Sequence, residues 1–272
     1  MNEKALYLSD ASKNKDNASI YNTTARRTDI FIKDLEGKLL FRTTNLVPLA
    51  GSEFTMFKHF DIPLNYITPS YNEVLGLDGS EFVAKATNAG EFCYLFCVGD
   101  GGCGELNSNV YPVDYSKWIQ PEHLTPFRYQ VESEDIVGDL RDKYFGRKTL
   151  TDTGRVAYYF KAFESTPVPK RQYIDGTPID STIYEATKDM EVEAFIELNM
   201  KVLKEDCRDY FIATAGIEAA RINQLSLCTA YYTVQNGVRY YQNIRPLTQL
   251  NIPNESLIDL TKGLDITYHI YY

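Results

Sequence analysis

The chain has 272 residues, enough for one large domain or two packed halves with a substantial core. Its formal net charge of −9 argues against nucleic acid as the main partner, because neutralising phosphates requires a dense basic stripe and the lysines and arginines are scattered. Tyrosine and phenylalanine occur 21 and 14 times beside a single tryptophan, a content that favours strands and protein contact surfaces.

The cysteine count and the absence of long apolar runs indicate the compartment. Five cysteines cannot all pair within one chain, which favours a reducing environment with free, mostly buried thiols. Residues Met1–Lys4 lack the apolar stretch of a secretory signal, and no run approaches the roughly 18 apolar residues of a membrane span. We therefore expect a soluble, unsecreted chain without a membrane partner. The cysteines are Cys93, Cys97, Cys103, Cys207 and Cys228.

The N-terminal segment differs in composition from the rest of the chain. Residues 8–28 are rich in Ser, Asn, Asp, Thr and Lys and carry almost no apolar side chains that could offset the entropy of ordering. We expect residues 1–28 to form an extended or flexible arm that a neighbouring subunit orders. Residues 29–272 then form a β-rich structural domain, which can be divided into packed halves at 29–150 and 151–272.

The first half is predicted to hold short elements. Asp29–Lys33 and Leu39–Thr43 flank the turn Leu35–Lys38 and predict a hairpin. The prolines and glycines between Val47 and Asp78 disfavour long elements, so we expect short strands or turns there and one brief helix at Ser70–Leu77.

Two further elements precede residue 150. Glu91–Val98 is apolar on both faces, which predicts a central strand, and the glycines of Gly99–Gly104 end it. Apolar residues recur at helical spacing in Glu132–Tyr144, and Ser133 is a candidate N-cap. We predict one short helix in that segment.

After Arg155, apolar and polar residues alternate with a period of two, as in half-buried strands. An Asn-Gly pair at 236–237 lies between two such stretches and is the strongest short hairpin signal. The sequence thus predicts a mainly β fold, an antiparallel β-sandwich or barrel-like sheets with one or two short helices. The expected strands are Val156–Phe163, Thr182–Leu203, Asp209–Thr214, Ile222–Thr233, Val238–Leu250 and Leu264–Tyr272.

Two motifs could in principle bind a ligand. Gly99–Gly104 is glycine-rich, but it lacks the GxxxxGK[ST] pattern of a phosphate-binding loop, so we interpret it as a tight loop that ends a strand. Cys93, Cys97 and Cys103 form a C-x3-C-x5-C set without a partner pair elsewhere. On one strand, Cys93 and Cys97 would share a face about 13 Å apart, too far for joint ligation of a metal.

The remaining polar groups also favour structural roles. His59, His123 and His269 stand alone in sequence, with no GxSxG or cysteine-protease signature nearby. The acidic groups are interpreted as a solvated face, and the basic pairs as contacts at an interface rim. We therefore assign no catalytic, cofactor-binding or metal-binding residue and expect no cofactor and no enzyme activity. The acidic groups are Asp34, Glu36, Asp135, Asp139 and Asp142, and the basic pairs are Arg26-Arg27 and Lys170-Arg171.

Several segments carry a pattern that extends over about two-thirds of the chain. Ala220–Leu227 is followed by the Asn-Gly hairpin, and further stretches follow it to the C-terminus. This pattern resembles that of virion structural proteins from tailed bacteriophages, including short-tailed and crAss-like phages. Gln224 stands where those proteins often have Glu, and His269 where Arg is usual, so no role of either side chain is carried over. The other matching segments are Leu247–Pro253, Leu260–Leu264, Ile266–Tyr272, Asn45–Val47, Gly51–Phe54 and Pro126–Tyr129.

The resemblance implies a non-enzymatic part of a phage particle. Our first hypothesis is a neck or tail ring or adaptor component, made in the host cytoplasm and located in the virion. It would assemble as a homo-oligomer, and with portal, tail or capsid proteins, through tyrosine-lined β surfaces and the N-terminal arm.

Three alternatives remain open at this stage. The first is a capsid decoration or fibre-anchor protein, which differs from a ring component in copy number. The second is a carbohydrate-binding β-sandwich that uses exposed tyrosines as sugar platforms. The third is a glycan hydrolase, which needs two carboxyl groups about 5–9.5 Å apart in a cleft.

Overall fold

The structure of the protein, a computed structural model, describes residues 27–44, 47–59, 66–67, 69–80, 90–106, 109–112, 119–179, 192–216, 221–256 and 263–272. Two large antiparallel sheets pack face to face like a sandwich, which confirms the predicted mainly β class. Among the described strands, the sheets do not close into a barrel. Residues 1–26 of the predicted arm lie outside the described residues, whereas residues 27 and 28 belong to the first strand.

The first sheet has five strands in the order β10-β11-β14-β1-β2. Its last strand in sequence, β14, pairs with both β1 and β11, so the C-terminus lies in the middle of the sheet. The strands are β1 (Arg27–Lys33), β2 (Leu39–Thr43), β10 (Val168–Tyr173), β11 (Val192–Val202) and β14 (Leu264–Tyr271).

The second sheet follows the order β13-β12-β3-β9-β7, with β6 beside β3 and β8 beside β9. Strands β4 (Cys103–Leu106) and β5 (Asn109–Pro112) form a separate pair. The strands of the second sheet are β3 (Phe92–Gly99), β6 (Leu124–Thr125), β7 (Arg128–Val131), β8 (Tyr144–Leu150), β9 (Arg155–Ala162), β12 (Arg221–Gln235) and β13 (Val238–Ser256).

Both predicted hairpins are confirmed. Strands β1 and β2 pair antiparallel around a turn in which Gly37 has a φ of 85°. Strands β12 and β13 pair around Asn236 and Gly237, whose φ angles of 51° and 76° are those of a type I′ turn. Such a turn matches the right-handed twist of the flanking strands, which is why Asn-Gly predicts it.

Two hydrophobic cores lie on the two faces of the second sheet. The core between the sheets contains Phe96, Leu227 and Tyr268, all fully buried. The core on the opposite face contains Tyr71 and Phe160. The second sheet is therefore the central layer, as expected for β3, whose predicted position as a central strand is confirmed by its pairing with β12, β9 and β6.

A β-bulge in β3 changes which face its side chains occupy. Cys228 pairs with Leu95 and Thr229 with Cys93, so Tyr94 is the extra residue on β3. As a result Cys93 packs against the core between the sheets, whereas Cys97 belongs to the opposite core. The expectation that these two cysteines share one face is therefore wrong.

The described residues contain three α-helices: α1 (Leu49–His59), α2 (Tyr71–Leu75) and α3 (Arg208–Thr214). Helix α2 confirms the brief helix predicted at 70–77, and Ser70 caps it in a capping box with Glu73. The sequence does not predict helix α1, because Pro48 and Gly51 disfavour a long element there. Pro48 in fact directly precedes the helix, where a missing N–H is harmless, and the Ser52 N–H donates to its carbonyl.

Two predicted elements are wrong. Segment 209–214 is helix α3 rather than a strand, and it begins after Cys207, whose φ of 64° turns the chain while its N–H donates to the Phe127 carbonyl. Segment 132–144 forms two short 3-10 turns instead of an α-helix, and Ser133 caps neither of them. Gly138 has a φ of 59°, a left-handed conformation that interrupts any continuous helix there.

The remaining strand predictions agree with the structure where it describes them. Strands β9, β12, β13 and β14 confirm the predicted segments, and β11 confirms the later part of 182–203, whose residues 182–191 lie outside the described range. Both large sheets combine strands from before and after residue 150, and the predicted division there stays a prediction. No helix within the described ranges is long and apolar enough to span a membrane.

Candidate protein-contact surface

The hairpin of β12 and β13 extends past the edge of the second sheet. Pairing between β12 and β3 ends at Ala230 and Phe92, so Tyr231–Gln235 and Val238–Gln242 pair only with each other among the described strands. Tyr232 and Val234 on this free end are exposed, whereas Tyr241 joins the core that contains Tyr71 and Phe160.

One face of the free end, together with the start of β3, carries a partly exposed aromatic cluster whose base, Tyr241, is buried. Tyr232 and Tyr241 are direct cross-strand partners with ring centroids 5.6 Å apart, and the Tyr94 ring lies 5.9 and 5.5 Å from them. Phe92 is 6.0 Å from Tyr94. Tyr232, Val234 and Phe92 are 42, 58 and 52% exposed. We call Phe92, Tyr94, Tyr232, Val234 and Tyr241 the aromatic tip.

Cations border the aromatic tip on both sides. The Arg239 guanidinium lies 5.4 Å from the Tyr232 ring centroid, and the Lys58 ammonium lies 4.9 Å from that of Phe92. Burial raises the pKa of Tyr94 and of Tyr241 above the ordinary tyrosine value. The tip thus combines aromatic rings, tyrosine hydroxyls and one bordering arginine, residue types that are enriched in protein interfaces.

The hairpin is fixed to the body of the protein by hydrogen bonds. The Gln242 side chain donates to the Gly79 carbonyl at 2.8 Å, and a side chain at Gly79 would collide with the Tyr240 ring. Asn72 on α2 donates to the Tyr241 carbonyl at 2.9 Å and accepts from the Ile244 N–H at 2.8 Å. These contacts hold the aromatic tip in one orientation before any partner binds.

A cavity of about 170 Å³ lies beside the hairpin, with Arg141, Arg239 and Tyr240 in its lining. Two lining carboxylates, Asp78 and Asp135, are both bound by Arg147. This geometry is that of an ion-pair network, in which both carboxylates pair with the same guanidinium. A hydrolase would require one carboxyl to donate a proton and the other to stay ionised.

The predicted solvated acidic face is partly wrong. Asp135 also accepts from the Tyr158 hydroxyl at 2.7 Å and from the Ile136 N–H at 2.8 Å. Asp34 is buried and accepts from the N–H groups of Glu36 and Lys38, which closes the first hairpin. Both carboxylates are structural, because they satisfy turn and side-chain donors.

The glycine-rich loop is a strand-ending loop, as predicted. The N–H groups of Gly101 and Gly102 donate to the side chains of Gln224 and Asn223, at 3.2 and 2.6 Å. The N–H groups of Gly101 and Gly102 are therefore already hydrogen-bonded within the protein. Asp100 in the same loop lies 3.5 Å from the His123 ring nitrogen, and burial raises the pKa of this carboxyl.

The other sequence-derived candidates do not come together in one site. His269 lies 3.1 Å from Glu197 on the outer face of the first sheet, where Glu197 also binds Lys170. The side chains of His59 and Cys103 lie outside the described residues, as does Arg26. Within the described ranges, no three His, Cys, Asp or Glu side chains are arranged to hold a metal ion.

Two buried ionic clusters were not found from the sequence. Glu91 accepts from the Tyr66 hydroxyl at 2.9 Å, and the Arg245 guanidinium lies 4.1 Å from the Tyr66 ring centroid. Burial raises the pKa of Glu91 and lowers that of Arg245. In the other cluster, Lys161 and Asp206 meet in the core between the sheets at 2.9 Å. No local sequence pattern links such distant partners.

Comparison with known proteins adds no identification. No protein family model, no curated protein and no solved structure matches this chain. The resemblance to phage virion proteins stays a prediction.

Proposed function

We propose that the chain is a structural protein of a tailed-bacteriophage particle, a neck or tail ring or adaptor component made in the host cytoplasm. The aromatic tip carries this proposal. An exposed, contiguous aromatic surface costs solubility, and soluble proteins rarely keep one without a binding partner. The resemblance of the C-terminal segments to virion proteins supports the same class.

The geometry of the tip favours adhesion to another protein chain. Tyr232 and Val234 offer apolar area, while Arg239 supplies charge at the border. Because Asn72 and Gly79 already fix the hairpin, binding would order few side chains, and a preorganised surface loses less entropy on association. In a ring of identical subunits, the tip would contact a different surface of the next subunit, since such interfaces are heterologous.

The first experiment locates the protein. Particles of the phage whose genome carries this sequence are purified and analysed by mass spectrometry and particle reconstruction. We expect the chain at the neck or tail, in a copy number set by a closed ring. Absence from purified particles would refute the proposal, and hundreds of copies on the capsid would replace it with the decoration or fibre-anchor alternative.

The second experiment tests the tip itself. A Tyr232→Ala, Val234→Ser double variant is supplied to phage that lack the gene, and its incorporation into particles is measured. Loss of a central aromatic contact costs about 2 kcal/mol or more, so we expect at least about a tenfold drop in incorporation. Ile174→Ser changes another exposed apolar side chain and serves as control, with incorporation unchanged. Equal incorporation of both variants would exclude the tip as the contact.

One observation favours a second candidate, a carbohydrate-binding module. The Tyr232 ring is exposed next to Arg239, and sugars stack on exposed rings in this way. Glycan-array binding by the isolated chain that is lost in the Tyr232→Ala, Val234→Ser variant would support this function. Binding that persists in the variant, or no binding at all, would count against it.

A further inference from the structure

Lys161 and Asp206 form an ion pair that is removed from solvent. The Lys161 side chain, on β9 of the second sheet, is 1% exposed. The Asp206 side chain, in the turn between β11 and α3, is 0% exposed. The Lys161 ammonium nitrogen lies 2.9 Å from Asp206 Oδ2, so it is no more than about 4.1 Å from the carboxyl carbon, given a C–O bond of about 1.23 Å.

The surroundings hold both groups in this position. Lys161 also donates to the Lys201 carbonyl at 2.7 Å. The Tyr144 hydroxyl donates to Asp206 Oδ1 at 2.7 Å, and the Leu203 N–H donates to Asp206 Oδ2 at 2.8 Å. The amine and the carboxyl can therefore not rotate away from each other without breaking several buried hydrogen bonds.

A second carboxyl group lies next to the pair. Glu164 Oε1 is 3.9 Å from the Lys161 nitrogen, and the Glu164 side chain is 38% exposed. The backbone N–H of Glu164 donates to the Asn199 carbonyl on β11, which fixes the residue between the two sheets. Glu164 thus connects the buried pair with solvent.

We propose that Lys161 and Asp206 condense to a covalent amide bond within the folded chain. The Lys161 ammonium first gives one proton to the Asp206 carboxylate, and the neutral amine then attacks the carboxyl carbon. A new N–C bond forms, one C–O bond breaks, and the oxygen leaves as water. Of the three ammonium protons, one stays on the amide nitrogen and two leave in the water, so the reaction needs no oxidant, reductant or other reactant.

Three features of the site favour this reaction. The amine nitrogen already lies 2.9 Å from a carboxyl oxygen, and this positioning lowers the entropic part of the barrier. Both side chains are almost fully buried, so bulk water, which would hydrolyse the new bond, is excluded from the site. The Tyr144 hydroxyl is aimed at the oxygen on which negative charge would develop, and Glu164 can accept a proton from the attacking nitrogen.

The bond would join the two sheets. Lys161 and Asp206 are 45 residues apart in sequence, and they belong to β9 and to the segment that follows β11. A covalent link across the core restricts the unfolded chain and raises resistance to denaturants, as cross-links do. A protein that works outside a cell would benefit from such a link in any role, so the inference is independent of the proposed function.

The decisive measurement is the intact mass of the full chain, purified in folded form as judged by circular dichroism. We expect a mass about 18 Da below that of the sequence, because one water is lost. Digestion should then yield a branched peptide that joins the segments around Lys161 and Asp206. A wild-type mass equal to that of the sequence, after prolonged incubation of the folded protein at neutral pH, would overturn the proposal.

Variants separate the roles of the individual groups. In Asp206→Asn the leaving group is ammonia, so we expect a loss of about 17 Da instead of about 18 Da, whereas Lys161→Met should keep the full mass of its sequence. A mass loss in Lys161→Met would overturn the assignment of the bond. Glu164→Gln cannot accept the proton, so the bond should form several-fold more slowly. Formation at the wild-type rate would remove Glu164 from the reaction.

Discussion

Asn72 is expected to stabilise the protein out of proportion to its size. Its buried side-chain amide donates to the Tyr241 carbonyl and accepts from the Ile244 N–H, at 2.9 and 2.8 Å. Between these two residues Asn243 has a φ of 52°, so the backbone of β13 is bent where the amide holds it. We predict that Asn72→Ala destabilises the folded chain strongly.

The magnitude follows from the two backbone groups that lose a partner. A buried donor or acceptor left without its hydrogen bond costs about 1–3 kcal/mol, so the loss of two partners in Asn72→Ala should cost about 2–6 kcal/mol. Total stability is typically about 5–15 kcal/mol, and the loss should therefore be large in a urea titration followed by circular dichroism. Val74→Ala on the same helix removes a half-exposed side chain and should cost less than about 1 kcal/mol.

A second substitution at Asn72 gives a dependence on pH. In Asn72→Asp, an ionised carboxylate still accepts from Ile244 but meets the Tyr241 carbonyl without a proton to donate. The neutral form is therefore favoured in the folded chain, and the pKa of the new carboxyl should lie above its unfolded value of about 3.9. A group of this kind contributes stability below the unfolded pKa and loses it as pH rises through the folded pKa.

The stability of Asn72→Asp relative to wild type should thus improve as pH is lowered from neutral toward about 4. The reasoning would be refuted by an Asn72→Ala cost within about 0.5 kcal/mol of the Val74→Ala cost, or by an Asn72→Asp difference that does not change with pH.

Three further substitutions test other parts of the structure. Phe96→Ala empties a fully buried site 5.3 Å from the Phe127 ring and should cost about 3–5 kcal/mol in denaturant unfolding. Gly102→Ala places a methyl group against the Asn223 carbonyl, a backbone atom that cannot yield, so its midpoint in urea should fall well below that of wild type. Because burial holds the pKa of His269 below its ordinary value, the folded chain binds fewer protons than the unfolded chain near pH 6. Wild type should lose stability as pH falls from about 7 to about 5, and a His269→Phe variant that shows the same slope would contradict this assignment.

The sequence predicted the strands that have a local signature. Period-two alternation predicted β9, β11 and β14, and Asn-Gly predicted the turn at 236–237, because both signals depend only on neighbouring residues. The brief helix at Ser70–Leu77 was predicted from the Pro and Gly residues around it, and the structure adds its Ser70–Glu73 capping box.

The wrong predictions arose where a distant contact decides the local conformation. Segment 209–214 is rich in strand-forming Tyr, Phe and Ile, yet the Cys207 N–H donates to the Phe127 carbonyl and helix α3 starts there. Helix α1 contains Gly51, a residue that disfavours a helix in sequence-based prediction. In the structure, its missing side chain lets the helix lie directly against the Leu247 carbonyl of β13. The shared face expected for Cys93 and Cys97 failed because a bulge is set by pairing with β12.

By itself, the sequence determined the mainly β class, the hairpin turns and most strands, because alternation and turn residues act over a few positions. Only the tertiary structure decided the strand order, the position of the aromatic tip and the meeting of Lys161 with Asp206. Those features depend on side chains from separate strands, which strand order and register bring together. Such long-range contacts produce no pattern at a fixed spacing in the sequence.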